Sequence, residues 1–451
     1  MKYFVYIIVS IVFLVKCSDM EIKWVKKFEP AGKGNYRING IASLRKQGYV
    51  IVSTFWSTDK NPICITASYD ENGELIWHTA YETNDKVATK AIAVRATPSG
   101  LIEVAHDIFV LARTTDLTGE DRIVLIKYDS LGNMQWDKVI ERLKGAVTSK
   151  LLSDHLNNIY IAGWTIQATD PANIFIAKYR PSGELVWTIY SRAPSIYLDS
   201  LSFALNNKDQ FLVAGCLTDN EDFFYTVYDS LGQQIKEKKC ATAIQEISLT
   251  DAQIDDHGNV YLLGTSYSDS SGSDYIITVY DKSDSLIFEE SYDGPAHLED
   301  IATAMIVDEL SPESLCIYII GSSENEDTLN EVCSVKYDIT GNELWIKTLK
   351  GRKNEPAEPN LCGPSTLPPR TPQDNEHFYL AGSMGDDVFI LKHSTRGFIT
   401  WFIRYSTPHA VNRVAALSGF CLGLESRTES TVNAYILKYG KAEQLGIIRW
   451  D

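Results

Sequence analysis

The chain has 451 residues, 44% of them hydrophobic and 22% charged, and a formal net charge of −17 at pH 7. That much apolar material excludes a disordered chain, and an aromatic content of 11% with 24 tyrosines suits strands better than helices. No run of lysine or arginine could follow a phosphate backbone, so a nucleic-acid partner is excluded, and the acidity describes chiefly a solvated surface.

Residues 1–17 read as an export leader: Lys2, an apolar run from Tyr3 to Val15, then Lys16 and Cys17. Such a run is too short to cross a bilayer as a helix, which needs about 20 residues, but it suits a signal-peptide core. Leu14-Val15-Lys16-Cys17 resembles a bacterial lipoprotein cleavage box, which implies lipid on Cys17 and a place in the cell envelope. Lys16 departs from that pattern, which has a small residue there; secretion without lipid, or an uncut anchor, are the alternatives.

Beyond the leader, Trp24 to Phe28 looks like the last strand of a unit with nothing before it. Next come short apolar runs at Ile38 to Leu44, Tyr49 to Thr54, Ile63 to Tyr69 and Leu75 to Tyr81, each bounded by turn residues, which predict four antiparallel strands. The third and fourth are joined by Tyr69-Asp70-Glu71-Asn72-Gly73-Glu74-Leu75-Ile76-Trp77, and this Tyr-Asp-x-x-Gly-x-x-x-Trp pattern returns along the chain. Tyr128, Tyr179, Tyr228, Tyr280, Tyr337, His393 and Tyr439 stand at the anchor position, 46 to 59 residues apart. Lys236 replaces the tryptophan after Tyr228, Asp284 replaces the glycine after Tyr280, and the copy at Tyr439 has lost both. A strand such as Asn259-Val-Tyr-Leu-Leu-Gly264 or Asn158-Ile-Tyr-Ile-Ala-Gly163 precedes most anchors.

Four short strands repeating about every 50 residues predict the blades of an all-β propeller, because one small sheet cannot cover both its faces and a closed ring of sheets can. The anchors count eight blades in a single domain over residues 22–451, with seven as the alternative. The C-terminal unit supplies three strands, so pairing of the N- and C-terminal strands would close the ring. Either Trp24 to Phe28 or Leu445 to Trp450 would complete the last blade. The pattern resembles the seven-bladed β-propeller (SBBP) repeats of bacterial secreted and surface proteins, from which a count of eight departs. It is more weakly similar to the tryptophan-docking repeats of quinoprotein propellers.

The anchor residues read as structural. The glycine supplies positive φ in a tight turn, the tryptophan carries apolar area to the next blade, and the aspartate caps the turn by accepting from nearby N–H groups. Seven cysteines remain after the leader, without Cys-x-x-Cys spacing, so neither zinc nor a disulfide framework is signalled; Cys316 and Cys333 are the pair to test for a bridge. The eight histidines lack metal-ligand spacing, and no catalytic motif is present; no catalytic or metal-ligating residue is assigned.

Function is sought in the loops. Aligning the inner strands places Tyr36, Lys86, Tyr197, Glu246, Glu299 and His409 where the chain enters the central channel, a ring that could grip a polar ligand. The loops between second and third strands, which share that face, are acidic, with Asp116, Asp121, Asp222, Asp274, Glu324 and Asp387 among them. No cofactor is required by this pattern; calcium is admitted, although no Asp-x-Asp-x-Asp-Gly loop is present. Prolines 356, 359, 364, 368, 369 and 372 predict an irregular segment over residues 351–375 in place of the seventh inner strand. The leading reading is a non-enzymatic exported scaffold that binds a protein or surface polysaccharide through its loop face. The rivals are an envelope enzyme, quinoprotein-like or hydrolytic, working at the channel mouth, and a calcium-stabilised structural module.

Overall fold

The computed structural model describes residues 20–44, 48–57, 60–82, 86–98, 106–119, 121–140, 146–167, 170–192, 201–217, 222–240, 247–268, 272–308, 315–351, 355–364, 377–406, 413–418, 421–427 and 431–441. These residues form eight four-stranded antiparallel sheets, seven of them consecutive meanders in which each strand pairs with the next in sequence. They are blades 1 to 7, over residues 35–81, 86–140, 146–192, 202–240, 247–292, 300–349 and 357–405. Among the described residues no helix is long and apolar enough to cross a membrane.

The eighth blade is completed from the other end of the chain. Its strands Arg413–Ser418, Cys421–Arg427 and Val432–Lys441 are joined by Met20–Lys27, which runs antiparallel to the last of them with Trp24 opposite Lys438 and Lys27 opposite Tyr435. The alternation of eight copies and one orphan strand is thereby closed into a ring, and an exposed sheet edge is removed. Residues Leu445 to Trp450, the other contender for that place, lie outside the described residues.

The cores lie between blades. Val50, Val52, Ala91, Ile108 and Val110 form one cluster between blades 1 and 2; Tyr261, Leu263, Ile317 and Ile319 belong to another between blades 5 and 6; Phe28, Ile38, Ile51, Cys421 and Ile436 seal the closure. The second strands are covered on both faces, which explains their continuous rather than alternating apolar runs.

Six of the joints repeat one arrangement at the hairpin between third and outer strands, an indole or other aromatic ring lying over a glycine turn. Gly73, Gly132, Gly183, Gly232, Gly341 and Gly397 have φ between 73° and 89°. A Cβ on Gly132 would come within 2.6 Å of the Trp77 ring, and one on Gly73 within 2.8 Å of Trp24, so glycine is needed both for its dihedral and for the indole that lies against it. The indole N–H groups of Trp24, Trp77, Trp187 and Trp345 donate to the carbonyls of Glu71, Ser130, Ser230 and Thr395 in the following blade, at 3.0 to 3.3 Å. Asp70, Asp129, Asp229, Asp281 and Asp338 each cap their turn, accepting the N–H groups two and four residues on. The orphan residue Trp24 is thus the docking tryptophan of blade 8.

Two expectations meet the structure here. Cys316 and Cys333 are free and buried; Cys316 pairs with Asp338 at one end of the hairpin while Cys333 pairs with Gly321 in its middle, so they are not bridged. Blade 7 keeps its inner strand, Ala357–Pro364, paired to His377–Met384 despite Pro359 and Pro364. An inner strand pairs on one side only, so prolines whose missing N–H would face the channel cost no ladder bond. The remainder of the proline segment, 365–376, lies outside the described residues.

Candidate functional site

The face opposite those hairpins carries the loops that enter the inner strands and the turns between second and third strands. Its carboxylates are met differently around the ring. At blade 2, Arg122 reaches Asp116 at 2.9 Å and Arg113 pairs with Asp121; at blade 7, Arg404 bridges Glu355, at 2.8 Å, and Asp387. Between blades 5 and 6, Asp274, Asp293 and Asp300 converge, with one carboxylate oxygen of each within 4.8 Å of the others.

Each is placed by a different element. Asp274 lies near the start of the third strand of blade 5, Gly272–Tyr280. Asp293 follows the outer strand of that blade, Leu286–Tyr292, and Asp300 opens the inner strand of blade 6, Asp300–Asp308. The linker is folded back on itself: the Gly294 N–H donates to Asp300 Oδ2 at 2.6 Å, and the His297 N–H donates to the Gly294 carbonyl at 2.9 Å with His297 at a φ of 54°. Asp300 is 1% exposed, Asp274 is half-buried and Asp293 is exposed, so the three descend from solvent into the joint.

The electrostatics follow from that descent. Burial pushes the Asp300 carboxyl up to about 6, with Ser323 and the Gly294 N–H opposing the rise and the neighbouring Asp274 and Asp293 adding to it. The hydrogen bond to Asp293, at 2.6 Å from His297 Nδ1, raises the His297 imidazole above its ordinary value, and the negative charges of Asp293, Asp274 and Asp300 add to the effect. Asp300 Oδ1 is shut off from solvent and has no hydrogen-bond partner. Beneath lie Tyr275 and Tyr292, ring centroids 5.2 Å apart, and Cys333, whose thiol burial pushes up to about 12. That floor is neutral and unreactive at physiological pH.

The residues expected to ring the channel are not brought together as a set. Tyr36 is buried between Phe28 and Phe55, and its hydroxyl donates to the Gly32 carbonyl at 2.8 Å and accepts from the Ala31 N–H. Lys86 opens the inner strand of blade 2 opposite Asp116, and its side chain is not described. Glu299 is exposed beside Asp300, linked to blade 6 by the Glu324 N–H, which donates to the Glu299 carbonyl at 2.9 Å. Tyr197, Glu246, His409 and Cys17 lie outside the described residues.

Sequence reasoning stopped one residue short of Asp300. The inner strands share a bulge, and the residue two places before it is Tyr36, Thr89, Ile247 and Ala357 in blades 1, 2, 5 and 7, all buried. Asp300 holds that same register in blade 6. The signal available in the sequence was a charged residue at a position that elsewhere buries an uncharged one.

No protein-family model matches the sequence, and no curated protein matches it. Solved structures do. The propeller of Dos1 is similar at 13% identity and a TM-score of 0.53, covering 92% of this chain and 95% of that one. A eukaryotic initiation factor is similar at 10% identity and 0.41, covering 84% and 90%. A lignostilbene dioxygenase of Pseudomonas brassicacearum is similar at 10% identity and 0.47, covering 87% and 96%. Likeness at such identity concerns the fold alone, and the last two scores carry no argument. The chain is an eight-bladed β-propeller.

Proposed function

We propose that this propeller is an exported binding scaffold of the SBBP-repeat kind, which presents its loop face to another protein or to a surface polysaccharide. One observation carries the reading. The repeated residues are spent on the joints of the hairpin side, whereas the loop face carries side chains that differ from blade to blade, including the carboxylates at blades 5 and 6. A rigid ring with one variable, charged face is suited to recognition by shape and charge, with Cys17 or the leader as its tether.

The test is affinity capture with the processed protein from its native envelope, alongside mass determination of its N-terminus. A reproducible partner whose retention falls when Glu299 and Glu324 are together changed to glutamine supports the reading. Failure to recover any partner, together with a measured hydrolase or dehydrogenase turnover, would replace it with an enzyme working at the channel mouth.

A further inference from the structure

We propose that Asp274, Asp293 and Asp300 bind a calcium ion that fastens blade 5 to blade 6 at the loop face. The proposal stands apart from the scaffold reading, since it concerns how the ring is held and not what the ring recognises.

Two observations carry it. The first is convergence: carboxylate oxygens from three separate elements lie within 4.8 Å of one another, the spread expected of ligands around a cation that takes oxygens at about 2.3–2.6 Å. The second is Asp300 itself. It is 1% exposed, its Oδ2 receives the Gly294 N–H, and its Oδ1 is buried with no hydrogen-bond partner. A buried carboxylate oxygen without a donor is costly, and two further carboxylates beside it make the cost larger. A hard dication answers both, supplying the missing partner of Oδ1 and offsetting the mutual repulsion.

The donor chemistry selects the ion. All three ligands are carboxylates, and among the described residues no cysteine or second histidine joins them, which disfavours zinc and copper. His297 is the side chain the structure sets against Asp293, and it stands on the exposed side, where an arriving ion would swing it aside. Asp293, being exposed, gives the ion a way in, and water can complete the six to eight oxygens calcium takes. The mechanical consequence follows from which elements are tied. Asp274 belongs to blade 5, Asp300 to blade 6 and Asp293 to the linker, so the ion bridges the joint on the side away from the hairpin contacts.

The protein, purified through chelator and dialysed into metal-free buffer, is titrated with calcium chloride by isothermal calorimetry, and its melting temperature is read with and without calcium. One site is expected, with a rise in melting temperature that chelator reverses. Asp300→Asn, nearly the same shape, should lower affinity at least about tenfold, as should Asp293→Asn, which changes an exposed group and leaves the fold intact. Glu326→Gln, an acid of the same face outside the cluster, should bind as the unaltered protein does. Absence of a calcium isotherm and of any thermal shift would overturn the proposal. So would an isotherm that Asp300→Asn and Asp293→Asn leave unchanged, since the ion would then sit elsewhere.

Discussion

At the joint from blade 1 to blade 2 the Trp77 indole lies against Gly132, whereas at the joint from blade 4 to blade 5 the ammonium of Lys236 occupies that place. There the residue beneath is Asp284, at a φ of 63°, and Lys236 Nζ lies 3.2 Å from its Oδ1 and donates to the Gly258 carbonyl at 3.0 Å. Tyr225 adds its hydroxyl to the same Asp284 oxygen at 2.5 Å. The two joints solve one problem with different chemistry. A flat indole needs a turn without a Cβ, while a slender lysine leaves room for a carboxylate in the same left-handed turn. At these hairpins glycine lies beneath an aromatic ring, and aspartate lies beneath the one lysine.

The largest expected effect tests the apolar form of the joint. Trp77→Ala should cost about 3 kcal/mol in urea unfolding, through lost burial and the cavity left over Gly132. Trp24→Ala should cost a similar amount, because Trp24 stands over Gly73 as Trp77 stands over Gly132. A much smaller loss for Trp24 would mean that the closure by the N-terminal strand is weaker than an internal joint.

The next effect tests the pairing directly. Lys236→Trp alone should destabilise by about 2 kcal/mol, since the new ring meets the Asp284 side chain and strips it of its ion pair. Adding Asp284→Gly should recover that loss or better it, since a packed apolar pair often equals or exceeds a half-buried ionic one. The double-mutant cycle should therefore show a coupling of about 1–3 kcal/mol. Additive single changes would show that the two positions changed independently.

Blade 7 offers a second departure, with a pH signature. His393 replaces the anchor tyrosine and is stacked between Trp345 and Phe378, ring centroids 5.1 and 5.0 Å away. Burial lowers its pKa below the ordinary 6.5, with Lys347 adding to the fall and the bond to the Ser394 carbonyl opposing it. The unfolded chain then binds more protons than the folded one once the pH drops below 6.5, so stability is present above that pH and declines beneath it. His393→Tyr should flatten the decline in denaturation midpoint between pH 6.5 and 5. An unchanged pH profile would place the acid sensitivity elsewhere.

How much of this could be read in the chain depends on range. The tight-turn glycine, the capping aspartate and the strand runs are local, and they located eight blades and narrowed the strand that closes the ring to two contenders. Lys236 and Asp284 were visible only as two separate failures of the repeat, because nothing local links residues on neighbouring blades. The lysines before the anchors were equally silent, yet Lys127, Lys178, Lys336 and Lys438 each reach a carbonyl of the next blade, at 2.9 to 3.2 Å. Asp300 was hidden by a bulge: one extra residue shifts which side chain faces the joint, and alignment by the following turn passed over it in favour of exposed Glu299.

The smallest effect concerns the aspartate cap, which five of the described hairpins share. Asp338 accepts from the N–H groups of Thr340 and Asn342 and from both their side chains. Desolvation works against the charged form, but these hydrogen bonds prevail and hold the carboxyl down to about 2. A group held below its unfolded value contributes above pH 4 and gives that contribution up as the pH falls toward 2. Asp338→Ala should therefore cost about 1 kcal/mol at neutral pH and almost nothing near pH 2, measured as a shift in urea midpoint. Asp338→Asn keeps one acceptor for the same turn and should lose roughly half as much. If alanine and asparagine prove equally costly at neutral pH and at pH 2, the charge is irrelevant to the turn, and the cap acts by shape alone.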